Sequence, residues 1–333
     1  MSLVEPVREM SSLAFDRAIE RILALRDDAA GVRAGDWLRL LLHGVYNSAW
    51  PDVAWKFSQL TGDGFPLEFT FSSQDDEIRY TCEVAGPEMA AADRLTYARQ
   101  RLADSGVAVD EGQFAFLSSL QTMGPLSFGT WVGGRHGPRG DSYKFYVECP
   151  APYSPAADQR IAELAGTRDL LSSRATDLRI VGYETTRSRM EFYFKTAGLE
   201  PWEVILLLRR FGLEGQQADL FDLLGKAWGK PVRDRLPSDS AGFSFAVDPD
   251  HGPVAFSLHS YARSVFGGDA RIRRRVLELA QEMGWNFAAY QAVSEPLAKR
   301  DEVSTFHGIA SFTIAAGRQS VFQIGLRPPE ENC

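Results

Sequence analysis

Cysteine is scarce in this 333-residue chain: Cys82, Cys149 and the terminal Cys333 are the only three. So few thiols, unevenly spaced, exclude a disulfide framework or a cysteine-based zinc site. Cys82 and Cys149 fall on the apolar phase of expected strands, where a thiol packs as a small hydrophobe. Long apolar runs are also missing. The longest, "VILLL" at 204–208, is far short of the roughly 20 residues that span a bilayer. The opening "MSLVEPVREMSSLAF" has no continuous apolar core, so it does not read as a signal peptide. A soluble protein of a reducing cytoplasm is expected. Positive charge is outnumbered, with 36 Lys and Arg against 44 Asp and Glu for a net charge of −8. That balance argues against nucleic acid or an anionic membrane as the main partner, though it leaves room for a local basic pocket.

The composition, 44% hydrophobic and 24% charged, is that of a globular protein. No low-complexity linker divides the chain, so one domain over 1–333 is expected. A unit recurs in the pattern: two helical stretches, then two strands. Helical periodicity near 14–28 and 35–46 precedes strand alternation near 65–72 ("FPLEFTFS") and 77–84 ("EIRYTCEV"). Helices near 89–105 and 111–121 precede strands near 125–132 and 142–149. Helices near 155–165 and 167–174 precede strands near 177–184 and 187–195. Helices near 200–211 and 216–228 precede strands near 241–248 and 253–261. The last unit has helices near 269–283 and 286–299, then strands near 304–314 and 319–327. Five units give ten strands, antiparallel where hairpins join them.

Most of these strands have one apolar face, such as Leu67, Phe69 and Phe71, or Phe145, Val147 and Cys149. Amphipathic helices are available to cover those faces. The opposite faces carry Glu68; Arg79; Lys144, Tyr146 and Glu148; Arg189, Glu191 and Tyr193; His259 and Tyr261; and Gln323. A strongly twisted sheet of ten strands tends to curl or split, and closure removes its edges. With helices outside, the polar faces would line a lumen. Trp131 and His307 fall on the same phase. Arginine, lysine and several tyrosines gathered inside an acidic protein suit a compact anion. "WVGGRHGPRGD" (131–141) reads as a glycine-rich hairpin turn, because no helix follows it as a phosphate loop requires. His43, His136 and His251 are expected at the surface.

In layout and in short motifs the chain resembles the ABBA or PT-barrel aromatic prenyltransferases, which include the dimethylallyltryptophan synthases. "GFPLEFTFS" resembles that family's first strand, with a carboxylate at Glu68. "EIRYTCEVAGP" resembles the second, with a diphosphate-gripping arginine at Arg79. "KFYVECP" supplies the lysine–x–tyrosine pair Lys144 and Tyr146. "RSRMEFYFKTAGLEPWEVILLLRRFGL" resembles the sixth strand and its helix, with Arg189 and Tyr193. The sequence departs from the tryptophan-type pattern at Glu191, where a second lysine is usual. It departs again at Ala255 and Ser257, and at Gln323 and Gly325 on the last strand.

The resemblance implies an α+β fold: a ten-stranded antiparallel closed barrel with a polar lumen, ringed by helices. It implies transfer of a dimethylallyl or geranyl group from an allylic diphosphate to an indole or phenol. Arg79, Lys144 and Arg189 would hold the diphosphate, and Tyr146, Tyr193 and Tyr261 would shield the allylic cation. Glu68 would accept the acceptor's N–H or O–H, with Glu191, His259, His307, Gln323 and Trp131 facing substrate. No cofactor is required, and Mg²⁺ is optional. A monomer is expected. No DDxxD motif is present, so metal-clustered isoprenoid synthases fit poorly. Two alternatives stand beside this reading. One is a non-catalytic barrel that binds an anionic hydrophobic ligand. The other is a phosphate-processing tunnel enzyme, whose Glu-x-Glu-x-Lys pattern is absent.

Overall fold

The computed structural model describes residues 17, 19–24, 26, 28–48, 58–151, 155–165, 169–300 and 305–329. Ten strands close into one antiparallel barrel. They are β1 (Leu67–Ser72), β2 (Ile78–Glu83), β3 (Thr130–Gly137), β4 (Gly140–Glu148) and β5 (Asp177–Glu184), followed by β6 (Arg189–Lys195), β7 (Ala241–Asp248), β8 (Gly252–Tyr261), β9 (His307–Ala315) and β10 (Val321–Leu326). Each strand pairs with its neighbours in sequence, and β1 closes on β10 through Phe69 opposite Leu326. Cys333, and parts of the helix expected near 14–28, lie outside the described residues.

The helices of six or more residues are α1 (Ala29–Leu41), α2 (Arg94–Asp104), α3 (Glu111–Leu120), α4 (Pro155–Ala165), α5 (Pro201–Arg210), α6 (Gln217–Trp228), α7 (Asp269–Met283) and α8 (Ala288–Val293), with short turns at His43–Tyr46 and Ala262–Phe266. Their starts are set by local chemistry. The Asp28 carboxylate accepts from the N–H groups of Ala30 and Gly31 at 3.0 Å, capping α1. At α5, Pro201 takes the first turn, and the Glu203 carboxylate accepts from the Glu200 N–H at 2.8 Å. Residues 169–176 hold no helix, in contrast to the expectation for 167–174.

The core lies between the helices and the outer face of the barrel. Phe145, Phe192, Phe243, Phe245, Phe256, Phe312 and Phe322 all point outward and are fully buried. They stack in a seam: Phe211 lies 4.1 Å from Phe245, and Phe192 lies 5.3 Å from it. Cys82 and Cys149 are buried in the same layer as free thiols. Burial pushes the Cys149 thiol up to about 12, so it is inert as a nucleophile.

Two sequence expectations are corrected here. The stretch 131–141 is not a turn but most of β3, with only Pro138 and Arg139 left for the hairpin. Its glycines make room for aromatic rings. A Cβ on Gly133 would sit 3.0 Å from the Tyr146 ring, and one on Gly134 would strike the Tyr80 ring. As a result His136 is buried rather than exposed. It hydrogen-bonds the Tyr80 hydroxyl at 3.0 Å and lies 3.2 Å from Asp141, which Arg33 grips from α1.

Glu148 also has a structural task. Its carboxylate accepts from the N–H groups of Ser127, Phe128 and Gly129 at 2.7–3.0 Å, tying the entry of β3 to the end of β4. Glu148→Ala leaves those donors without their charged acceptor. It should lower the unfolding free energy by about 2–3 kcal/mol in urea titration, and Glu148→Gln by clearly less.

Candidate active site

The strands alternate between fully buried outward residues and half-buried inward ones, as expected where a lumen admits solvent. The register places the inward residues in layers. Arg79 stands opposite Arg135, and Lys144 stands opposite both Gly133 and Glu184. Tyr146 stands opposite Gly182, and Gly182 opposite Glu191. Further round, His259 pairs with Ser311 and Ser311 with Gln323. The wall is lopsided. Large and charged side chains project from β2–β6. From β7–β10 come mostly small ones, including Gly242, Ser244, Ala246, Ala255, Ser257, Ser311, Thr313 and Ala315. Eight-stranded barrels are filled by side chains or hold one small ligand. Ten strands with a wall of small residues leave more room.

Basic groups cluster toward the hairpin end. Arg79 contacts Asp75 at 2.6 Å and Glu77 at 3.4 Å. Arg135, which the turn reading of 131–141 hid, shares the same two carboxylates, lying 3.1 Å from Asp75 and bonded to Glu77. Its position two residues beyond Gly133 on the inward phase was countable in the sequence. Arg189 projects from β6 next to Glu184. Its Nε is buried with no hydrogen-bond partner among the described residues, and its charge lies within electrostatic reach of Asp248.

At mid-lumen Lys144 Nζ donates to Glu191 at 2.5 Å and to the Tyr193 hydroxyl at 2.8 Å, and Tyr193 in turn donates to Glu191 at 2.7 Å. The Tyr146 and Tyr193 rings lie 6.0 Å apart, with Lys144 Nζ 5.0 and 5.2 Å from their centroids. The missing side chains of Gly133 and Gly182 let this group lie against the wall. Burial alone would raise the Glu191 carboxyl. The Lys144 charge and hydrogen bond, with help from the Ser244 hydroxyl, outweigh it and hold Glu191 down at about 2. Burial would lower Lys144, but Glu191 keeps it raised.

Glu68 is different. Its carboxyl lies over Gly308 and Gly325, where a Cβ on either would collide with it. Among the described residues it makes no hydrogen bond or ion pair. Burial pushes it up to about 8.

The remaining candidates divide. His259 faces the lumen between Ser244 and Ser311, and Gln323 faces it between Ser311 and Ser72. Trp131 stacks on Phe128 at 3.8 Å and donates to Glu83, in a network that Arg94 completes. Tyr261 stands at the end of β8, 50% exposed beneath Arg263, so it encloses nothing. His307 does not face the lumen. The ladder shifts between Ile324 and Leu326, which turns Gly308 inward and His307 outward. There it binds Asp269 at 2.6 Å and the Tyr290 hydroxyl at 2.9 Å, fully buried. A one-residue irregularity reverses facing, and no composition signal marks it.

Among the described residues no group of three His, Cys, Asp or Glu side chains could hold a metal ion. None of their helices is long and apolar enough to cross a membrane. No family model and no curated protein matches the sequence. Solved structures do match. A 6-dimethylallyl tryptophan synthase aligns with a TM-score of 0.74 at 18% identity, covering 94% of this chain and 95% of its own. The 6-dimethylallyltryptophan synthase from Micromonospora olivasterospora, in complex with DMASPP and Trp, aligns at 0.71 and 19%, covering 94% and 96%. The 5-dimethylallyltryptophan synthase from Streptomyces coelicolor aligns at 0.72 and 15%, covering 94% and 96%. The chain therefore has the barrel fold of these synthases along nearly its whole length.

Proposed function

We propose that the chain transfers a prenyl group from an allylic diphosphate to a small aromatic acceptor, an indole or a phenol, inside the barrel. The observation that carries this reading is the division of the lumen. Arg79, Arg135, Lys144 and Arg189 gather on the β2–β6 side, beside two facing tyrosines. An unpaired carboxyl, Glu68, lies over the β9–β10 wall. A guanidinium whose buried Nε finds no acceptor, as in Arg189, can take a further anion supplied from outside. The two ligands named in the complexed 6-dimethylallyltryptophan synthase, DMASPP and Trp, are of these two chemical kinds.

In this reading the diphosphate lies among the four cations. Their fixed charges stabilise it as the allylic C–O bond breaks, and in a partly desolvated chamber they act more strongly than in water. The diphosphate takes over donors that Asp75, Glu77 and Glu191 otherwise hold. Tyr146 and Tyr193 present ring faces to the allylic cation, each contributing roughly 0.5–2 kcal/mol. The acceptor lies across the small-residue wall with its N–H or O–H on Glu68, which raises the nucleophilicity of the ring. Carbon–carbon bond formation then gives an arenium ion, which loses its proton.

The test is incubation with radiolabelled dimethylallyl and geranyl diphosphates and a panel of indoles and phenols, in buffer containing EDTA. Label should pass to at least one aromatic without added metal, because side-chain cations supply the charge a metal would. Diphosphate binding with no transfer to any aromatic would make the chain a binding barrel instead.

A further inference from the structure

Five lumen residues on β4, β6, β7, β8 and β9 form one continuous hydrogen-bonded chain. Lys144 donates to Glu191 Oε2 at 2.5 Å. Ser244 Oγ lies 2.5 Å from Glu191 Oε1 and 2.9 Å from His259 Nε2. His259 Nδ1 lies 2.8 Å from Ser311 Oγ. Packing alone does not explain this chain. Ser257 and Thr313, in register with Ser244, bond to each other at 2.7 Å, and the inward layer beyond them on β7, β8 and β9 is Ala246, Ala255 and Ala315, so alanine suffices there.

The polarity of the chain is forced from the Glu191 end. An ionised carboxylate only accepts, so the one Ser244 proton points to Glu191. Ser244 Oγ must then accept from His259 Nε2–H. That leaves a lone pair on His259 Nδ1, which accepts from the Ser311 hydroxyl. Burial lowers His259 to about 4, opposed by Glu191 and reinforced by Lys144, so the resting ring is neutral.

The two ends of the chain lie in different halves of the lumen. Lys144 belongs to the basic side. Ser311 stands on β9 beside Gln323 of β10, and the Glu68 carboxyl lies over Gly308 and Gly325 of those same two strands.

We propose that His259 is the proton carrier of the transfer: through the Ser311 hydroxyl it takes the proton shed by the prenylated ring, and through Ser244 it passes a proton to the Glu191–Lys144 pair beside the departing diphosphate. This rests on the prenyl-transfer reading. The step balances. The donor C–O bond breaks and its electron pair leaves with the diphosphate. A π pair of the acceptor forms the new C–C bond, and the C–H pair of the arenium ion returns to the ring. The released proton goes to Ser311 Oγ as the serine's own proton goes to His259 Nδ1. The Nε2 proton goes to Ser244, whose proton goes to Glu191. Lys144 protonates a diphosphate oxygen and is reprotonated by Glu191. One proton has moved from ring to diphosphate, with no oxidant or reductant. An arenium ion is a strong acid, so a weakly basic imidazole is enough. Each turnover leaves His259 in its other tautomer, and the part-exposed ring exchanges that proton with solvent.

Ser311 is the group that meets the acceptor, and His259 acts through it. The test therefore reads proton movement rather than rate alone. His259→Gln keeps a hydrogen-bonding group between Ser244 and Ser311 but cannot carry a proton. It should lower kcat by about 100-fold, the usual contribution of a general base. It should also bring out a primary isotope effect with acceptor deuterated at the prenylated carbon, while inorganic diphosphate affinity stays within about twofold. Ser244→Ala should bring out the same isotope effect. In the resting wild-type protein the ¹⁵N spectrum should show His259 as the neutral Nε2–H tautomer, assigned by its absence in His259→Gln. An Nδ1–H tautomer, or wild-type turnover with no isotope effect in both variants, overturns the relay and leaves the transferase reading standing. A wild-type protein that binds diphosphate yet transfers to no aromatic overturns the transferase reading, and the relay with it.

Discussion

Lys144→Ala should lower kcat for prenyl transfer by about 10³-fold, the upper range for removing one preorganised donor from a developing anion. Lys144 is central to the lumen: it bonds Glu191 and Tyr193 and sits between the two tyrosine rings. The same substitution should destabilise the fold by about 3 kcal/mol, because Glu191 is left as a charge enclosed without its cation. Chemical denaturation measures that loss. The double variant Lys144→Ala, Glu191→Gln separates the two effects. It should recover most of the stability and none of the activity. Acid titration gives a further signature. Glu191 is held near 2 in the folded chain against an ordinary 4.5, so its contribution is fully present above pH 4.5 and is lost as pH falls toward 2. That acid-dependent loss should disappear in Lys144→Ala. Wild-type turnover in Lys144→Ala would remove the basis for the proposed chemistry.

Glu68→Gln should cost about 10²-fold in kcat/KM, since an amide cannot serve as the acceptor's base. The pH profile carries more information. With Glu68 raised to about 8, kcat/KM for an indole should climb between pH 6 and 9 with a midpoint near 8 as the carboxyl ionises. In Glu68→Gln that rise should be gone. Stability should move the opposite way. The folded chain keeps the Glu68 proton while the unfolded chain loses it near 4.5, so this group's penalty grows as pH rises from 4.5 and is complete above about 8. Glu68→Gln should therefore gain melting temperature over wild type at pH 8.5 and little at pH 4. A flat wild-type profile over this range would deny Glu68 its role.

The barrel was largely readable because its strands keep strict period-two alternation. Phe145, Val147 and Cys149 point out, and Lys144 and Tyr146 point in. Alternation reports facing, and facing was enough to collect the cations and tyrosines in one lumen. It failed where the backbone departs from regularity or where a residue type misleads. The ladder shift near Leu326 sent His307 into the helix layer, and Gly133 and Gly134 suggested a turn where ring packing was the cause. That second error hid Arg135 and misplaced His136. The partners of each charge were not readable either. Arg135 with Asp75 and Glu77, or Lys144 with Glu191, depend on a register that pairs residues distant in the chain.

In the proposed reaction, the uneven lumen wall would serve the two substrates with separable stretches of chain. Charge handling comes from the first three repeats, and the small-residue surface comes from the last two. Lengthening a side chain at Ala255 or Ala315, which pair with each other and with no charged residue, would reshape the space open to a ring. In the proposed reaction, such changes would alter acceptor range while donor handling stays fixed.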